Sequence, residues 1–431
     1  KSALFIFINL FIIMSARSQQ PVKNYTKEWS KAEAFIQKGL PKSALEEVRK
    51  IYLLAKKEKQ DAQLVKSLLY ISRLQVENRE ENSSLSIAEM EKEISVWEKQ
   101  PRNEPILSLL RSVLASQYQQ YYQENQWELY NRTTTEKFIK TDIATWGTMD
   151  FHQRISQLFL QSVQQEKILL QTKLSGYDAI ITKGNVRHLR PTLYDLLAFR
   201  AIQYFESGEI NIKKPAYAFE ISQASAFDPA ADLSKRKFTS TDSLSLEHKA
   251  LLLYQKLITL HLKDAKPDAL IDADLLRLQF VKNKSTHPEK EKLYFNAVNH
   301  IARQYGNLPA ASQSWYLLAK EHDEQANSYQ PHGDSTHRFD RLKAKEICEK
   351  VLQQKDSSLG KINCYNLLNE INRRSFEFVV EKVNLPGQPF RSLVKYKNIQ
   401  QLYFRIIRAD AALRKLLENQ YDKNYWPSLV A

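Results

Sequence analysis

The chain has 431 residues, a formal net charge of +14 and 43% apolar residues, enough length and apolar content for two or three domains with substantial cores. Nine glycines and 14 prolines suit a helical chain with few tight turns. Lysine and arginine alternate with Glu and Gln along helical segments, which makes the positive charge a property of solvated helix faces rather than a nucleic-acid footprint, and no zinc-finger spacing or aromatic RNA-binding signature accompanies it.

In chain order, residues 1–18 have the features of an export signal. Ala3–Met14 is an apolar run of about a dozen residues, too short for a bilayer that needs about 20, and Ala16-Arg17-Ser18 is a small-residue cleavage site. No cysteine follows that would mark a lipoprotein. The expected mature chain therefore starts near Gln19, is exported to the periplasm or an outer-membrane or extracellular location, and has no transmembrane segment.

Residues 19–374 carry a 3.6-residue apolar period. Trp29–Lys38 and Lys42–Glu58 make a first pair, with Ala44, Leu45, Val48, Ile51, Tyr52 and Ala55 on one face and Gly39-Leu40-Pro41 as the break. Leu64–Leu74, Leu85–Lys99 (with Asn82-Ser83-Ser84 as its cap) and Pro105–Tyr122 follow. Trp127–Thr148 reads as irregular, with one helical turn over Asp142–Trp146. Met149–Thr172 is predicted as one long helix. Leu174–Asn185 is a connection, and Arg190-Pro191-Thr192 starts the next helix. Ile210–Thr241 is the longest non-helical stretch, docked through Tyr217, Phe219 and Phe227. Helices are then expected over 243–261, 268–282, 288–305, 310–327, 340–355 and 357–374. A hairpin every 35 residues or so is the mark of a helical-hairpin, tetratricopeptide-like solenoid, although the tetratricopeptide consensus itself is poorly matched.

After Ser375 the pattern changes. Phe376–Val383, Ser392–Tyr396 and Leu402–Arg408 are rich in β-branched and aromatic residues, and Asn384–Pro389 supplies a turn. Three strands cannot bury two faces, so 375–431 reads as an incomplete β-sandwich, the opening strands of a domain that continues further. The fold class expected is mostly α: a solenoid over 19–374, then the opening strands of that sandwich.

Candidate sites are few. Lys183, Arg187, His188 and Arg190 fall within eight residues before a helix, an arrangement that suits an anion or, more simply, a solvated loop with a buried arginine stem. His322, His332 and His337 lie near Asp323, Asp334 and Asp340, but their spacing fits no metal pattern. Cys348 and Cys364 sit on adjacent helices and could pair in an oxidising compartment. Trp127, Trp146 and Trp315 read as core aromatics. Asn24, Asn82, Asn131 and Asn283 open glycosylation-type triplets. Nucleophile-elbow, zincin, phosphate-loop and dinucleotide signatures do not occur, so no catalytic residue, cofactor or metal is expected and the chain reads as non-enzymatic.

The run FEFVVEKVNLPGQPFRSLVKYKNIQQLYFRIIRAD resembles the opening of the first macroglobulin-type β-sandwich of bacterial alpha-2-macroglobulin family proteins, through Tyr396, Asn398, Leu402, Tyr403, Arg405 and Ile406. Gly39–Glu58 and Lys183–Phe205 resemble the helical leader of the same proteins. The resemblance implies an adaptor region of an exported protease-trapping or envelope-defence protein, with proteases or envelope proteins as partners and no nucleic acid. The contexts of Cys348 and Cys364 lack that family's C-x-E-Q thioester pattern, so a thioester, like the bait segment, is expected beyond Ala431 or not at all. The alternative is an exported helical-repeat scaffold of the cell envelope that binds protein or glycan.

Overall fold

The computed structural model describes residues 23–77, 83–101, 103–130, 143–207, 215–306, 308–330, 332–355, 357–381, 383–385, 387–404, 408, 410–418 and 420–430. The expected export signal over 1–18, Asn82, Asn131 and the Arg405–Ile407 part of the expected third strand lie outside them. Among the described residues there are 17 α-helices and one two-stranded antiparallel sheet.

The first half comprises α1 (Thr26–Gln37), α2 (Pro41–Glu58), α3 (Asp61–Glu77), α4 (Ser83–Glu98) and α5 (Ile106–Tyr130). Gly39 has φ +66° and Pro41 opens α2, so the turn after α1 needs glycine's freedom and proline's fixed φ. Ala44, Val48, Ile51 and Ala55 are buried along one side of α2, with Leu45 and Tyr52 half-buried beside them. Ile106, Leu109, Leu110, Leu114 and Tyr118 form the buried side of α5. That helix continues through Tyr130, so Trp127 belongs to a helix rather than to an irregular stretch.

Next come α6 (Thr148–Ser162), α7 (Glu166–Gln171) and α8 (Leu193–Glu206). The single helix expected over 149–172 is broken between Ser162 and Glu166. Ser162 Oγ donates to the Phe159 carbonyl at 2.7 Å, competing with the backbone ladder, and Val163 leaves helical geometry at φ −110°, ψ 5°. A 3₁₀-helical turn over Ile143–Thr145 stands where one helical turn was expected over Asp142–Trp146.

The helices before the sheet continue with α9 (Ala230–Leu233), α10 (Leu246–His261), α11 (Asp268–Lys284), α12 (Lys290–Gln304), α13 (Ser312–Gln325), α14 (Asp340–Leu352) and α15 (Leu359–Asn372). Each major helix packs on its neighbour in the chain, from α1 on α2 through α14 on α15, with α3 also touching α5 and α13 touching α15. One apolar core runs from Tyr25 to Leu318, and a second, smaller one joins Ala319, Ala344, Cys348, Val351, Cys364, Leu367 and Ile371.

The long loop before α10 is held down by side chains reaching into its backbone. Arg277 on α11, fully buried, donates to the carbonyls of Ala226 and Asp228 and pairs with Asp274. Ser285 Oγ donates to Ile221 O at 2.7 Å, and Gln255 Nε2 to Leu233 O at 2.7 Å. Phe227 is buried and Phe219 half-buried, but Tyr217 is 64% exposed and does not dock as expected.

Strands β1 (Ser375–Val380) and β2 (Ser392–Lys397) pair with Phe376 opposite Tyr396 and Phe378 opposite Val394. Asn398, just past β2, has a left-handed φ of +58°. Its Nδ2 donates to the carbonyls of Ile371 and Arg373, at 2.7 and 3.2 Å, while Lys397 Nζ donates to Glu370 O at 3.0 Å. The end of β2 therefore bonds to carbonyls at the end of α15, of which Glu370 O also accepts from Arg373 N, and this fastens the sheet to the helices. Leu402–Phe404 carry no strand, and two helices follow, α16 (Ala411–Glu418) and α17 (Tyr425–Val430), in a region expected to be sandwich. No helix among the described residues is long and apolar enough to cross a membrane.

Candidate functional site

An open cleft of about 890 Å³ lies at the C-terminal end of the helical region, between the start of α13 and the end of α14. Pro309, half-buried Trp315 and Ile347, and buried Val351 make its apolar wall, and Lys350, Gln353, Gln354 and Lys355 make its polar edge. The polar edge is fixed at Gln354, whose Oε1 accepts from Ser312 Oγ at 2.9 Å and whose carbonyl accepts from Lys361 Nζ. Behind the cleft, Gly360 lets α15 run against the start of α13: a Cβ there would lie 2.1 Å from the Ser312 carbonyl carbon. The lining carries two ammonium groups and two carboxamides on an apolar wall and no carboxylate, imidazole or thiol. Such an arrangement offers apolar contact along the wall and cationic and carboxamide hydrogen-bonding groups at the edge.

Two of the three histidines near this region, His322 and His337, gather around one carboxylate, while His332 is exposed and not brought to it. Asp340, buried, accepts from Lys343 Nζ at 2.7 Å, lies 2.6 Å from His337 Nδ1 and 3.4 Å from His322 Nδ1. Burial opposes its ionisation, but the Lys343 and His337 bonds outweigh that and keep its pKa below the usual value. Burial also lowers the pKa of His322. Asp334 instead accepts from Thr336 N at 2.9 Å in its own turn, and Asp323 pairs with Arg341 at 2.9 Å. Among the described residues, no group of three or more His, Cys, Asp or Glu side chains is placed to hold a metal ion.

The basic run before α8 is dispersed by carboxylates. Arg187 pairs with Asp178, and Arg190 reaches Asp272 at 3.5 Å while its guanidinium lies 3.9 Å from the centre of the Phe199 ring. The N-terminus of α8 already holds an anion of its own. Asp195 Oδ2 accepts from Thr192 N at 2.8 Å, and Thr192 Oγ1 accepts from Asp195 N at 3.3 Å, a reciprocal cap. A free anion site is not formed there, and the solvated-loop alternative describes the run better.

Sequence reasoning missed a second buried charged cluster, besides that of Arg277 and Asp274. His261, 4% exposed, lies between two carboxylates, with Nε2 2.9 Å from Asp195 Oδ1 and Nδ1 2.7 Å from Asp264 Oδ2. Burial alone would lower its pKa, but the Asp195 and Asp264 bonds and charges prevail and raise it. Both ring nitrogens facing carboxylates is the geometry of an imidazolium. The only available signal was a histidine ending an amphipathic helix, with an aspartate three residues on.

The tryptophans divide. Trp146 stacks on Tyr118 at 5.3 Å, inside a ring cluster that includes Phe151, and Trp315 is half-buried. Trp127, expected in the core, is 84% exposed. Cys348 and Cys364 are both fully buried in the smaller core.

Comparison with family models, curated proteins and solved structures gives no match.

Proposed function

We propose that this chain is a non-catalytic binding scaffold, the helical adaptor region of an exported alpha-2-macroglobulin-like protein. In this reading the helices form a tetratricopeptide-like solenoid that leads into a macroglobulin-type β-sandwich. The observation that carries it is the junction at Asn398. This residue, part of the segment that resembles the macroglobulin opening, bonds the last helix to the sheet, so helical region and strands are coupled mechanically. The sheet itself also asks for cover. Phe376, Phe378 and Phe404 form a ring cluster with centroids 5.5–6.4 Å apart, yet all three are at least 42% exposed. Two strands alone are marginally stable in water, and such a face is normally packed against further strands.

The scaffold's task would be to hold an envelope protein, while the sandwich region closes around a protease that has cut a bait segment. The aromatic and lysine-edged cleft supplies a contact surface for the first role. The test is protease challenge of the full-length protein that carries this chain. The trap reading expects a bound protease to keep its activity on a small chromogenic peptide and to lose it on a large protein substrate. Equal hydrolysis of both refutes trapping. Asn398→Ala, which uncouples sheet from helices, is expected to weaken the discrimination.

A further inference from the structure

The smaller core is built for close approach. Ala319 on α13, Ala344 and Cys348 on α14, and Gly360 and Cys364 on α15 are all buried, and no larger side chain stands among these five. Gly360 and Cys364 are one helical turn apart, so the face of α15 that touches the α13 backbone is also the face that carries the thiol. Cys348 and Cys364 are both free thiols in this structure, fully buried in the same small core on two helices that pack on each other, and a hydrogen bond between them shifts the ionisation of each.

We infer that Cys348 and Cys364 are joined by an internal disulfide in the mature protein, and that this bridge fixes the shape of the neighbouring cleft. The two cysteines are sixteen residues apart, and the loop they would close contains Lys350, Val351, Gln353, Gln354 and Lys355, most of the cleft's lining. Closing that loop restricts the unfolded chain and holds the cleft's polar edge in its binding geometry before any ligand arrives.

The chemistry is ordinary thiol–disulfide exchange. Before the helices close neither thiol is buried or bonded to the other, so either can attack first, and the steps are the same with the two cysteines exchanged. The Cys348 thiolate attacks one sulfur of a disulfide oxidant such as glutathione disulfide, forming a mixed disulfide and releasing one glutathione thiolate. Cys364 then loses its proton and attacks the Cys348 sulfur. The Cys348–Cys364 bond forms and a second glutathione leaves. Two electrons pass to the oxidant, and the two thiol protons end on the two glutathiones. Both sulfurs are buried in the folded chain, so the exchange belongs to folding, before α14 and α15 close on each other. The inference rests on the export contained in the proposed function, which supplies the oxidising compartment, but not on the macroglobulin kinship, because its geometry is the packing of three helices.

The test is refolding of the full chain from denaturant, once with glutathione disulfide in excess and once with a reductant, followed by alkylation in denaturant and intact-mass measurement. The oxidised sample is expected to take up no alkyl group, to weigh about 2 Da less than the reduced chain before alkylation, and to yield a non-reduced peptide linking Cys348 to Cys364. Its Tm should exceed that of the reduced sample, and in the C348A/C364A double variant the two conditions should give one Tm. Two alkyl groups per chain after oxidative refolding, or disulfide-linked dimers in place of the internal bridge, overturns the inference. The peptide map decides the matter even where the double variant folds poorly.

Discussion

Arg277→Met tests how the long loop is held. The arginine is fully buried, and its guanidinium is shared between Asp274 and the carbonyls of Ala226 and Asp228, with Nη2 3.1 Å from Asp228 O and Nε 3.1 Å from Asp274 Oδ1. Methionine keeps most of the stem's volume, so the cavity term is small. What remains is an aspartate, 4% exposed, with its charge uncompensated, and two carbonyls without their donor. Breaking a buried pair costs about 3–5 kcal/mol, and each of the two stranded carbonyls adds about 1 kcal/mol, so the variant should lose about 5–7 kcal/mol in all. That is a large share of the stability of an ordinary domain. Urea unfolding followed by circular dichroism measures it. Adding Asp274→Asn removes the orphaned charge and should restore about 2 kcal/mol or more. Limited proteolysis supplies an independent readout, because residues 215–241 lose their anchor and should be cut first. A loss below about 1 kcal/mol, or an unchanged cleavage pattern, would refute the view that this arginine holds the loop.

Two further outcomes follow from the same geometry. His261 has a raised pKa in the folded chain, so its stabilising contribution is complete below the unfolded histidine value of about 6.5 and is lost as pH rises through the folded value. Unfolding free energy should therefore fall on going from pH 6 to above neutrality, and His261→Gln should flatten that dependence; an identical pH profile in the variant would show that the Asp195 and Asp264 contacts do not hold a charged ring. Gly360→Ala places a Cβ 2.1 Å from Ser312 C and 2.2 Å from Gln313 N, backbone atoms that cannot turn aside. Forcing α15 away from α13 should cost about 3 kcal/mol, read as a lower Tm, whereas Gly184→Ala, which meets nothing within 4 Å, should leave Tm nearly unchanged.

What the sequence showed and what it hid divide along one physical line. Apolar period reports burial of apolar groups, so the faces of α2 and α5, the Gly39–Pro41 break and the helices from α10 to α15 were all legible to within a few residues. It carries no information on polar groups that become buried. Arg277 and Asp274 look like one more solvated i,i+3 pair until the loop over 215–241 is laid across them, and that placement is tertiary. His261 likewise needs Asp195, 66 positions away in the chain, to become charged. Trp127 fails in the opposite sense. A large aromatic on an amphipathic helix implies core only where another helix lies opposite, and the end of α5 exposes it to solvent. The cleft was half legible: Pro309 as punctuation and Trp315 as an inward residue could be read locally, but Lys350 and Lys355 gain meaning only from the turn that brings the end of α14 beside the start of α13.

Asn398 joins the two kinds of information. Local sequence marks it only as an interruption between two strand-like runs, and asparagine's tolerance of positive φ explains why it can stand there. Its side-chain amide then does what a residue directly after α15 would ordinarily do, donating to carbonyls 25 and 27 positions back. Arg373, which follows that helix directly, has φ −57° and ψ 128° and lacks the left-handed turn that would close the helix locally. The helix end is thus finished by the sheet, and the sheet gains a fixed attachment where a two-stranded ribbon would otherwise have little to hold it. Replacing Asn398 by Gly keeps the φ and removes the amide, whereas Asp keeps the size and turns donor into acceptor against two carbonyls. If the cap rather than the turn matters, the glycine variant should loosen β2, seen as faster amide exchange over Ser392–Lys397, and the aspartate variant should loosen it further. Protection equal to wild type in the glycine variant would assign the junction to backbone geometry alone.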